Sequence, residues 1–390
     1  MMTKHKVLFQ DARRLSQTDD NSVDLMITSP PYPMIEMWDE MFSEQNPKIR
    51  NAMNNKDGEL AFELMNQELD KVWKEVYRVL KPGGIACINI GDATRTLNGN
   101  FKLYPNSSRI LAYCLKIGFS SLPKILWRKT TNAPNKFMGS GMLPPGAYVT
   151  LEHESILILR KGGKREFKGF DEKKNRQESS FFWEERNVWF SDIWEGLNGV
   201  LQKLKDERVR DRSAAYPFEL AYRLINMFSV KGDVVLDPFF GTGTTMLAAM
   251  ASVRNSIGVE IDPNFKDTIL ERVSAIKDYS NKYIRERVKK HLFFVKEREE
   301  KKGPLKYANK HYGFKVMTRQ EQYLLFNDIL SVEQSGENEF EVKYSDEPQK
   351  DVLKMKLADT DSFSRKIENP IIEKQARSAK TSKLSSISTK

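Results

Sequence analysis

The sequence predicts an α/β fold in which a mostly parallel sheet is covered by helices. Short runs of β-branched and aliphatic residues alternate with amphipathic helical patterns, and a glycine-rich turn follows one of these runs and opens a helix. That alternation is typical of βαβ units, whose helices cover the faces of a parallel sheet. The predicted strands are residues 6–10, 23–28, 85–90, 125–128, 155–159, 234–236 and 257–259.

Three segments between the strands have helical periodicity. Residues 61–80 carry apolar side chains at spacings of three and four, and the run Pro82-Gly83-Gly84 is expected to end that helix. Residues 217–228 and 245–253 have the same kind of pattern. The apolar positions of the first segment are Phe62, Leu64, Met65, Leu69, Val72, Trp73, Val76 and Leu80.

Two regions interrupt this rhythm. The segment 160–212 mixes charged with aromatic side chains and has the character of an insertion. After Glu260 the chain becomes helical and charged, a poorly patterned stretch follows at 305–350, and the last residues have the Ser- and Lys-rich composition of flexible tails. We therefore divide the chain into residues 1–159, 160–212, 213–265, a charged helical extension at 266–350, and a flexible tail at 351–390.

Composition limits the classes of protein to which the chain can belong. Its 390 residues suggest two domains or one enlarged domain, and no apolar run approaches the roughly 20 residues needed to cross a bilayer, which excludes a membrane-spanning protein. Two cysteines cannot form a disulfide framework and the N-terminus lacks the apolar core of a signal peptide, so we expect a cytoplasmic location. The net charge of +10 favours a polyanionic partner.

The strand at 23–28 runs directly into the tetrapeptide Ser29-Pro30-Pro31-Tyr32. Open α/β sheets bind ligands at the carboxyl ends of their strands. The two prolines fix the backbone and remove amide donors, Ser29 adds a hydroxyl acceptor, and Tyr32 adds an aromatic face. A flat ligand with an amino group fits these groups. The alternative is an ordinary Pro-Pro turn after a buried strand.

A glycine loop follows the strand at 234–236 and opens the next helix, with the sequence Asp237-Pro238-Phe239-Phe240-Gly241-Thr242-Gly243-Thr244-Thr245. Its glycines allow a ligand to approach the backbone closely. The loop lacks the Lys of a phosphate-binding P-loop, and Met246 stands where a dinucleotide-binding loop has its third glycine, so a nucleotide phosphate is not the favoured ligand. Glu260, about twenty residues further at the tip of the next strand, is well placed to hold ribose hydroxyls. The glycine loop and Glu260 together predict a ligand that contains adenosine. The alternative is a packing turn with a solvent-facing Glu260.

Together these segments resemble the amino-group DNA methyltransferases, which use S-adenosylmethionine. In that family a Ser/Asn/Asp-Pro-Pro-Tyr motif holds the target base, and an Asp-Pro-Phe-x-Gly-x-Gly-Thr-Thr loop holds the methyl donor. The resemblance covers residues 6–262 and includes Gln10-Asp11-Ala12 and the runs 78–84 and 216–220. The tetrapeptide precedes the glycine loop, an order similar to the circularly permuted β group. The chain departs from the family at residues 212–214, where His-Pro-Ala is frequent and this sequence has Arg-Ser-Ala.

The resemblance implies a seven-stranded methyltransferase sheet and a role for each motif residue. The catalytic residues would be Ser29, Pro30, Pro31 and Tyr32. The residues that bind S-adenosylmethionine would be Asp11, beside the adenine amino group, with Asp237, Pro238, Phe239, Gly241, Gly243, Thr244 and Glu260. In the permuted order, residues 1–159 form the catalytic half of the domain, 213–265 the cofactor-binding half, and 160–212 the target-recognition region.

The first motif position bears on the base that is methylated. Family members with Ser there mostly methylate cytosine N4, so Ser29 favours cytosine, with adenine N6 as the alternative. Methylation of cytosine C5 needs a cysteine nucleophile, and Cys87 and Cys114 lie in a strand and a helical run where core thiols are expected. The implied partner is double-stranded DNA in a restriction-modification setting. A cognate restriction endonuclease is a further partner to test for, and the protein is expected to be a monomer or a homodimer.

Three basic side chains of the inserted segment are candidates for contacts with DNA phosphates: Lys164, Arg165 and Lys168. The histidines are scattered without metal-binding spacing, so we expect no metal. The tryptophans of the segment, Trp183, Trp189 and Trp194, are expected in a core. Two other functions stay open at this point: a DNA-binding protein without activity on the same scaffold, and a methyltransferase for RNA or for a protein glutamine amide.

Overall fold

The computed structural model describes residues 1–129, 138–197 and 216–348. Within them, one sheet contains β1 (Met2–Phe9), β2 (Val23–Thr28), β3 (Leu80–Ile90), β4 (Phe119–Arg128), β5 (His153–Lys161), β6 (Ile193–Trp194), β7 (Val234–Asp237), β8 (Asn255–Glu260), β9 (Ile329–Gly336) and β10 (Glu339–Tyr344). The order across this ten-stranded sheet is β6-β4-β5-β3-β2-β7-β8-β1-β10-β9. The seven predicted strands are present, and β6, β9 and β10 are additional, which corrects the expected count of seven.

The helices pack on both faces of the sheet. They are α1 (Asp39–Gln45), α2 (Pro47–Asn54), α3 (Gly58–Val79), α4 (Asn106–Lys116), α5 (Phe170–Glu178), α6 (Trp183–Trp189), α7 (Phe218–Phe228), α8 (Thr244–Ala251), α9 (Lys266–Ser274) and α10 (Ile276–Lys302), with short 3₁₀ helices at Glu36–Trp38, Pro263–Phe265 and Arg319–Glu321. In β2, Met26 belongs to the hydrophobic cluster that contains α3, whereas Leu25 and Ile27 belong to the cluster that contains α7. The middle of this strand, Leu25 to Ile27, is therefore apolar because both of its faces are covered.

Neighbouring strands are parallel in the centre of the sheet, from β3 through β2, β7 and β8 to β1. Outside this centre, β5 is antiparallel to β3 and β4, and β10 is antiparallel to β1 and β9, while β6 is parallel to β4. The two motif-bearing strands are neighbours, because Leu25 pairs with Val235 and Met26 with Leu236. The strands β1, β2, β7 and β8 therefore end together at what we call the carboxyl edge and begin together at the amino edge.

Helix α3 begins after Asp57, whose side chain accepts a hydrogen bond from the amide of Leu60 at 3.1 Å. The helix ends at Val79, and the run Pro82-Gly83-Gly84 lies inside β3 instead of forming a separate turn. Gly83 has a φ of +86°, and a Cβ there would lie 2.9 Å from the backbone nitrogen of Arg165. Glycine is thus required by the backbone conformation and by the close approach of a second segment.

The chain after residue 265 is only partly helical. Helices α9 and α10 agree with the expected extension, but β9 and β10 then form a hairpin that pairs with β1. Alternate side chains of β10, those of Phe340, Val342 and Tyr344, are buried in the cluster that contains α8. The expectation of a helical extension is therefore wrong for this hairpin, which belongs to the core. Residues 351–390, predicted as a flexible tail, lie outside the described residues.

The described part of the segment 160–212 begins at the amino edge. Strand β5 is antiparallel to β3 and ends at Lys161, whose ammonium donates to the carbonyls of Tyr77 at 2.6 Å and Leu80 at 2.7 Å. Helix α5 follows there, and its Asn175 donates to the carbonyl of Lys231 at 2.8 Å, just before β7. A target-recognition region is expected at the carboxyl edge, where open α/β sheets bind ligands, whereas residues 160–178 lie at the amino edge. Residues 198–212 lie outside the described residues.

Most of the side chains expected in a core are buried. Trp189 and Trp194 are buried, whereas Trp183 is 38% exposed and stacks on Phe294, so the expectation is wrong for Trp183. Cys87 and Cys114 are also buried, and burial raises the pKa of both thiols. None of the helices in the described ranges combines the length and apolar character that a membrane span needs.

Substitution of Phe340 tests whether the C-terminal hairpin is part of the core. Phe340 is 4% exposed, so Phe340→Ala is expected to lower the free energy of unfolding by about 3 kcal/mol. Leu330 on the neighbouring strand is 52% exposed, and the control Leu330→Ala should change this free energy by less than about 0.5 kcal/mol. Urea unfolding measures both values. Equal losses in the two variants would contradict the packing described for the hairpin.

Candidate functional site

A cavity of about 740 Å³ opens at the carboxyl edge of the sheet. Its base is formed where β1, β2, β7 and β8 end, the position at which open α/β sheets bind ligands. Of the predicted site residues, those that line it are Asp11, Ser29, Pro30, Pro31, Tyr32, Asp237, Pro238, Phe239, Gly241, Thr244 and Glu260. Gly243 lies just behind them as the residue before α8, with a φ of +82°. The tetrapeptide and the glycine loop therefore face the same cavity.

Asp237 joins the two motifs. Its carboxylate accepts hydrogen bonds from the hydroxyl of Thr28 at 2.7 Å, the hydroxyl of Tyr216 at 3.1 Å, the amide of Phe239 at 3.1 Å and the hydroxyl of Thr245. Burial raises the pKa of Asp237, and these donors oppose that rise. Thr28 ends the strand that leads into the tetrapeptide, so one carboxylate holds both this strand and the glycine loop.

Glu260 holds the glycine loop from the neighbouring strand. Its carboxylate accepts from the amide of Gly241 at 2.7 Å and from the amide of Asp262 at 3.0 Å. Burial raises its pKa, and the amide donors oppose the rise. A Cβ at Gly258 would lie 2.2 Å from the ring of Phe240, so glycine at this position lets the loop pack onto β8. The alternative of a solvent-facing Glu260 is therefore wrong, since this side chain is buried against the loop.

Asp11 lies at the end of β1 on the same cavity. Arg13 donates to its carboxylate from Nε at 2.8 Å and from Nη2 at 2.6 Å, and also donates from Nη1 to Glu68 of α3 at 2.6 Å. Burial tends to raise the pKa of Asp11, but the hydrogen bonds and charge of Arg13 outweigh it and lower that pKa. This ion-pair chain fixes the carboxylate of Asp11 at the cavity wall.

The tetrapeptide belongs to a polar network with three side chains that the sequence did not single out for this site. The hydroxyl of Tyr32 lies 3.0 Å from the hydroxyl of Ser29 and donates to Glu154 at 2.9 Å. The amide nitrogen of Asn89 donates to Glu154 at 2.6 Å and to the oxygen of Tyr32 at 3.0 Å. Lys129 donates to the other carboxylate oxygen of Glu154 at 2.8 Å. A polar residue in the apolar strand β3 was the available signal for Asn89.

The sequence also did not identify the apolar residues that form one wall of the cavity. It comes from the segment after the tetrapeptide, where the side chains are large and flexible or aromatic, and a ring or an alkyl chain of a ligand can pack against them. The residues of this wall are Ile35, Met37, Trp38, Met41 and Phe42. Their signal was a cluster of methionines and aromatic residues directly after Tyr32.

The basic residues proposed for DNA contacts lie at the opposite edge of the sheet. Arg165 donates to Asp233 at 2.6 Å and lies 3.6 Å from Asp24, and both carboxylates stand where β7 and β2 begin. Lys164 and Lys168 are exposed in the same segment, and Lys168 pairs with Glu166 at 3.0 Å. This position argues against the predicted phosphate contacts, because β5 carries the segment away from the cavity. Among the described residues, no group of three or more His, Cys, Asp or Glu side chains is arranged to hold a metal ion.

Comparison with known proteins finds DNA methyltransferases that match most of the chain. The family model described as DNA methylase, of the N6/N4 type, matches residues 23–272. The chain is 52% identical over 347 residues to the type II methyltransferase M.MthZI of Methanothermobacter thermautotrophicus, which covers 89% of this chain and 96% of the relative. It is 53% identical over 282 residues to the type II methyltransferase M.MjaI of Methanocaldococcus jannaschii, and this match covers 70% of this chain and 91% of the relative.

A solved structure has a related fold. TTHA0409 of Thermus thermophilus, a candidate DNA modification methylase in complex with S-adenosyl-L-methionine, superposes with a TM-score of 0.54 at 32% identity and covers 69% of this chain and 92% of that protein. The matched family region includes both the tetrapeptide and the glycine loop that face the cavity. The chain therefore belongs to the N6/N4 amino-group DNA methyltransferases.

Proposed function

We propose that this protein methylates the exocyclic N4 amine of cytosine in duplex DNA, as a type II modification enzyme. The observation that carries the proposal is the 2.7 Å hydrogen bond between Thr28 and Asp237, which joins the two motif-bearing strands. This bond lies where the tetrapeptide and the glycine loop face one cavity. A donor site and an acceptor site within one cavity support direct transfer, since holding both reactants in position lowers the entropic part of the barrier.

S-adenosylmethionine is the methyl donor, and when bound it supplies an electrophilic methyl group on a sulfonium centre. The residues at the donor side fit it. The carboxylate of Glu260 has acceptor capacity beyond its two amide donors and suits ribose hydroxyls, and Asp11 suits the adenine amino group. Asp237 acts by holding the loop, because its carboxylate already accepts four hydrogen bonds from the chain. The loop residues assigned to this ligand are Pro238, Phe239, Gly241, Gly243 and Thr244.

The acceptor side suits a flat base with an amino group. A base in a duplex has to leave the stack to be methylated, which costs a few kcal/mol, and stacking on the ring of Tyr32 would offset about 1–3 kcal/mol of this. The hydroxyl of Ser29 and the carbonyl of Pro30 accept the two amine hydrogens and turn the nitrogen lone pair towards the methyl group. The nitrogen–carbon bond forms as the carbon–sulfur bond breaks, and the extra proton then leaves to solvent.

Ser29 supports cytosine as the target base. The assignment follows the resemblance, in which Ser at the first motif position accompanies methylation of cytosine N4. The N6 amine of adenine presents the same two hydrogens to Ser29 and Pro30 and is the alternative. The tetrapeptide also precedes the glycine loop, which supports membership of the permuted β group.

The relatives support a restriction-modification role. M.MthZI and M.MjaI are both named type II methyltransferases, and M.MthZI aligns with 89% of this chain. We therefore include a cognate endonuclease in the proposal as a further partner of this protein.

Duplex DNA is proposed to approach the carboxyl edge. A short hairpin, Ala93–Leu97 with Asn100–Tyr104, begins just after Gly91, where a Cβ would lie 3.0 Å from the ring of Tyr32. A second short hairpin pairs Met138–Gly139 with Ala147–Tyr148. The rings of Phe101 and Tyr148 stack at 4.5 Å and connect these hairpins. The described residues 160–178 are at the other edge, so we assign DNA contact to the hairpin side instead.

Product analysis tests both the reaction and the base. The protein is incubated with mixed-sequence duplex DNA and isotopically labelled S-adenosylmethionine, and the nucleosides are identified by mass spectrometry after digestion. Labelled N4-methylcytosine is expected. N6-methyladenine would keep amino-group transfer but contradict the assignment of Ser29 to cytosine, and DNA without label would contradict the proposed substrate.

Substitutions on the two sides of the cavity should separate donor binding from turnover. Glu260→Ala removes a charged acceptor and should raise the Kd for S-adenosylmethionine by about 10- to 100-fold. Tyr32→Ala removes the stacking surface and should lower kcat by about 10- to 100-fold while this Kd changes by less than about twofold. Calorimetry measures the Kd, and transfer of labelled methyl groups measures kcat.

Glu271→Ala is the control for these variants, because Glu271 is an exposed carboxylate of α9 that does not line the cavity. Neither the Kd nor kcat should change in it. Equal affinity for S-adenosylmethionine in Glu260→Ala and Tyr32→Ala would contradict the division of the cavity into a donor side and an acceptor side.

A further inference from the structure

Glu154 is a carboxylate in contact with Tyr32 of the cavity wall, and the proposed function does not yet use it. It is the second residue of β5, and it is 9% exposed. One oxygen accepts from the hydroxyl of Tyr32 at 2.9 Å and from the amide nitrogen of Asn89 at 2.6 Å, and the other accepts from the ammonium of Lys129 at 2.8 Å. Three donors from three different segments hold this carboxylate in one orientation.

The direction of each hydrogen bond in this network follows from the groups themselves. An ionised carboxylate, here paired with Lys129, has no hydrogen to donate, so the hydroxyl of Tyr32 donates to Glu154. Burial, followed by the charge of Glu154, raises the pKa of Tyr32 well above its ordinary value, so the phenol keeps that hydrogen. The oxygen of Tyr32 can then only accept at its 3.0 Å contact with Ser29. Ser29 is therefore the donor in this contact.

We propose that Glu154 is a positioning residue which, through Tyr32, fixes the Ser29 hydroxyl as a hydrogen-bond acceptor for the amine of the target base. With its hydrogen directed to Tyr32, Ser29 keeps a lone pair for the ligand beside its 3.4 Å contact with the amide nitrogen of Asn89. This inference rests on the proposed role of Ser29 at the target amine, and it applies equally to cytosine N4 and adenine N6.

The orientation of this hydroxyl matters because a free serine can donate as well as accept. A Ser29 that donates to the amine nitrogen occupies the lone pair that has to attack the methyl group. A Ser29 that accepts an amine hydrogen leaves that lone pair available. The chain from Glu154 through Tyr32 selects the second arrangement before the base arrives, and such preorganisation acts on kcat more than on binding.

Four variants of the full chain test the positioning role. Glu154→Ala should lower kcat by about 10- to 100-fold while the Kd for S-adenosylmethionine and the KM for DNA change by less than about threefold. Tyr32→Phe keeps the ring but removes the relay hydroxyl, and it should show a similar loss. The double variant should lose less than about threefold more, because both changes break one chain. Glu154→Gln still offers a carbonyl to Tyr32 and Asn89, so it should keep at least about a third of kcat.

Glu152→Ala is the matched control, because Glu152 is a neighbouring carboxylate that pairs with Arg128 at 3.3 Å and belongs to no bond of this network. Its kcat should equal that of the wild type. Wild-type kcat in Tyr32→Phe, multiplicative losses in the double variant, or a loss in Glu154→Gln as large as in Glu154→Ala would each overturn the inference. Labelled product from the wild-type protein is measured in parallel. If that product is missing, the proposed function itself fails, whereas wild-type turnover with an unaffected Glu154→Ala overturns only the role of Glu154.

Discussion

The hydrogen bond from Thr28 to Asp237 is the contact on which the site depends. It joins residues that are 209 positions apart in the chain, and it lies at the carboxyl edge where a cleft has to open. Backbone pairing between β2 and β7 covers Leu25 with Val235 and Met26 with Leu236. Beyond these pairs, the side-chain hydrogen bond from Thr28 to Asp237 connects the two strands. A buried carboxylate therefore keeps the two motifs side by side where the backbone pairing has ended.

The motif residues at the cavity could be predicted because each signal is local. Ser29 and Asp237 directly follow recognisable strands, and parallel strands end at one edge of a sheet. Glu154 and Arg165 could not be placed in this way. Both belong to the region of β5, and the antiparallel direction of β5 brings its first residues to the carboxyl edge, beside Tyr32, and its last residues to the amino edge. A run of apolar residues indicates a strand but carries no information about its direction.

The C-terminal hairpin shows the same limit for the fold. Strand β10 alternates buried and exposed side chains, which is a strand pattern, but the pattern does not reveal its partner. That partner is β1, and the hydroxyls of Thr3 and Tyr344, which are 341 positions apart, lie 2.9 Å from each other. Pairing between the two ends of a domain depends on the packing of everything between them. The apolar face of β10 was therefore visible in the sequence, whereas its place in the core was not.

The charged groups at the two edges of the sheet have different roles. At the amino edge, Lys81 and Arg165 neutralise Asp24 and Asp233 at distances of 2.8 Å and 2.6 Å, so these cations stabilise the starts of the central strands. At the carboxyl edge, the carboxylates of Asp237 and Glu260 accept backbone and hydroxyl donors of the glycine loop.

In the proposed complex, Glu154 is separated from the target amine by Tyr32 and Ser29. A carboxylate directly against a cationic methyl donor would bind it strongly before the reaction, and binding that is equal in ground and transition states does not raise kcat. A neutral hydroxyl, oriented by a carboxylate one residue further away, supplies the acceptor without that ground-state ion pair.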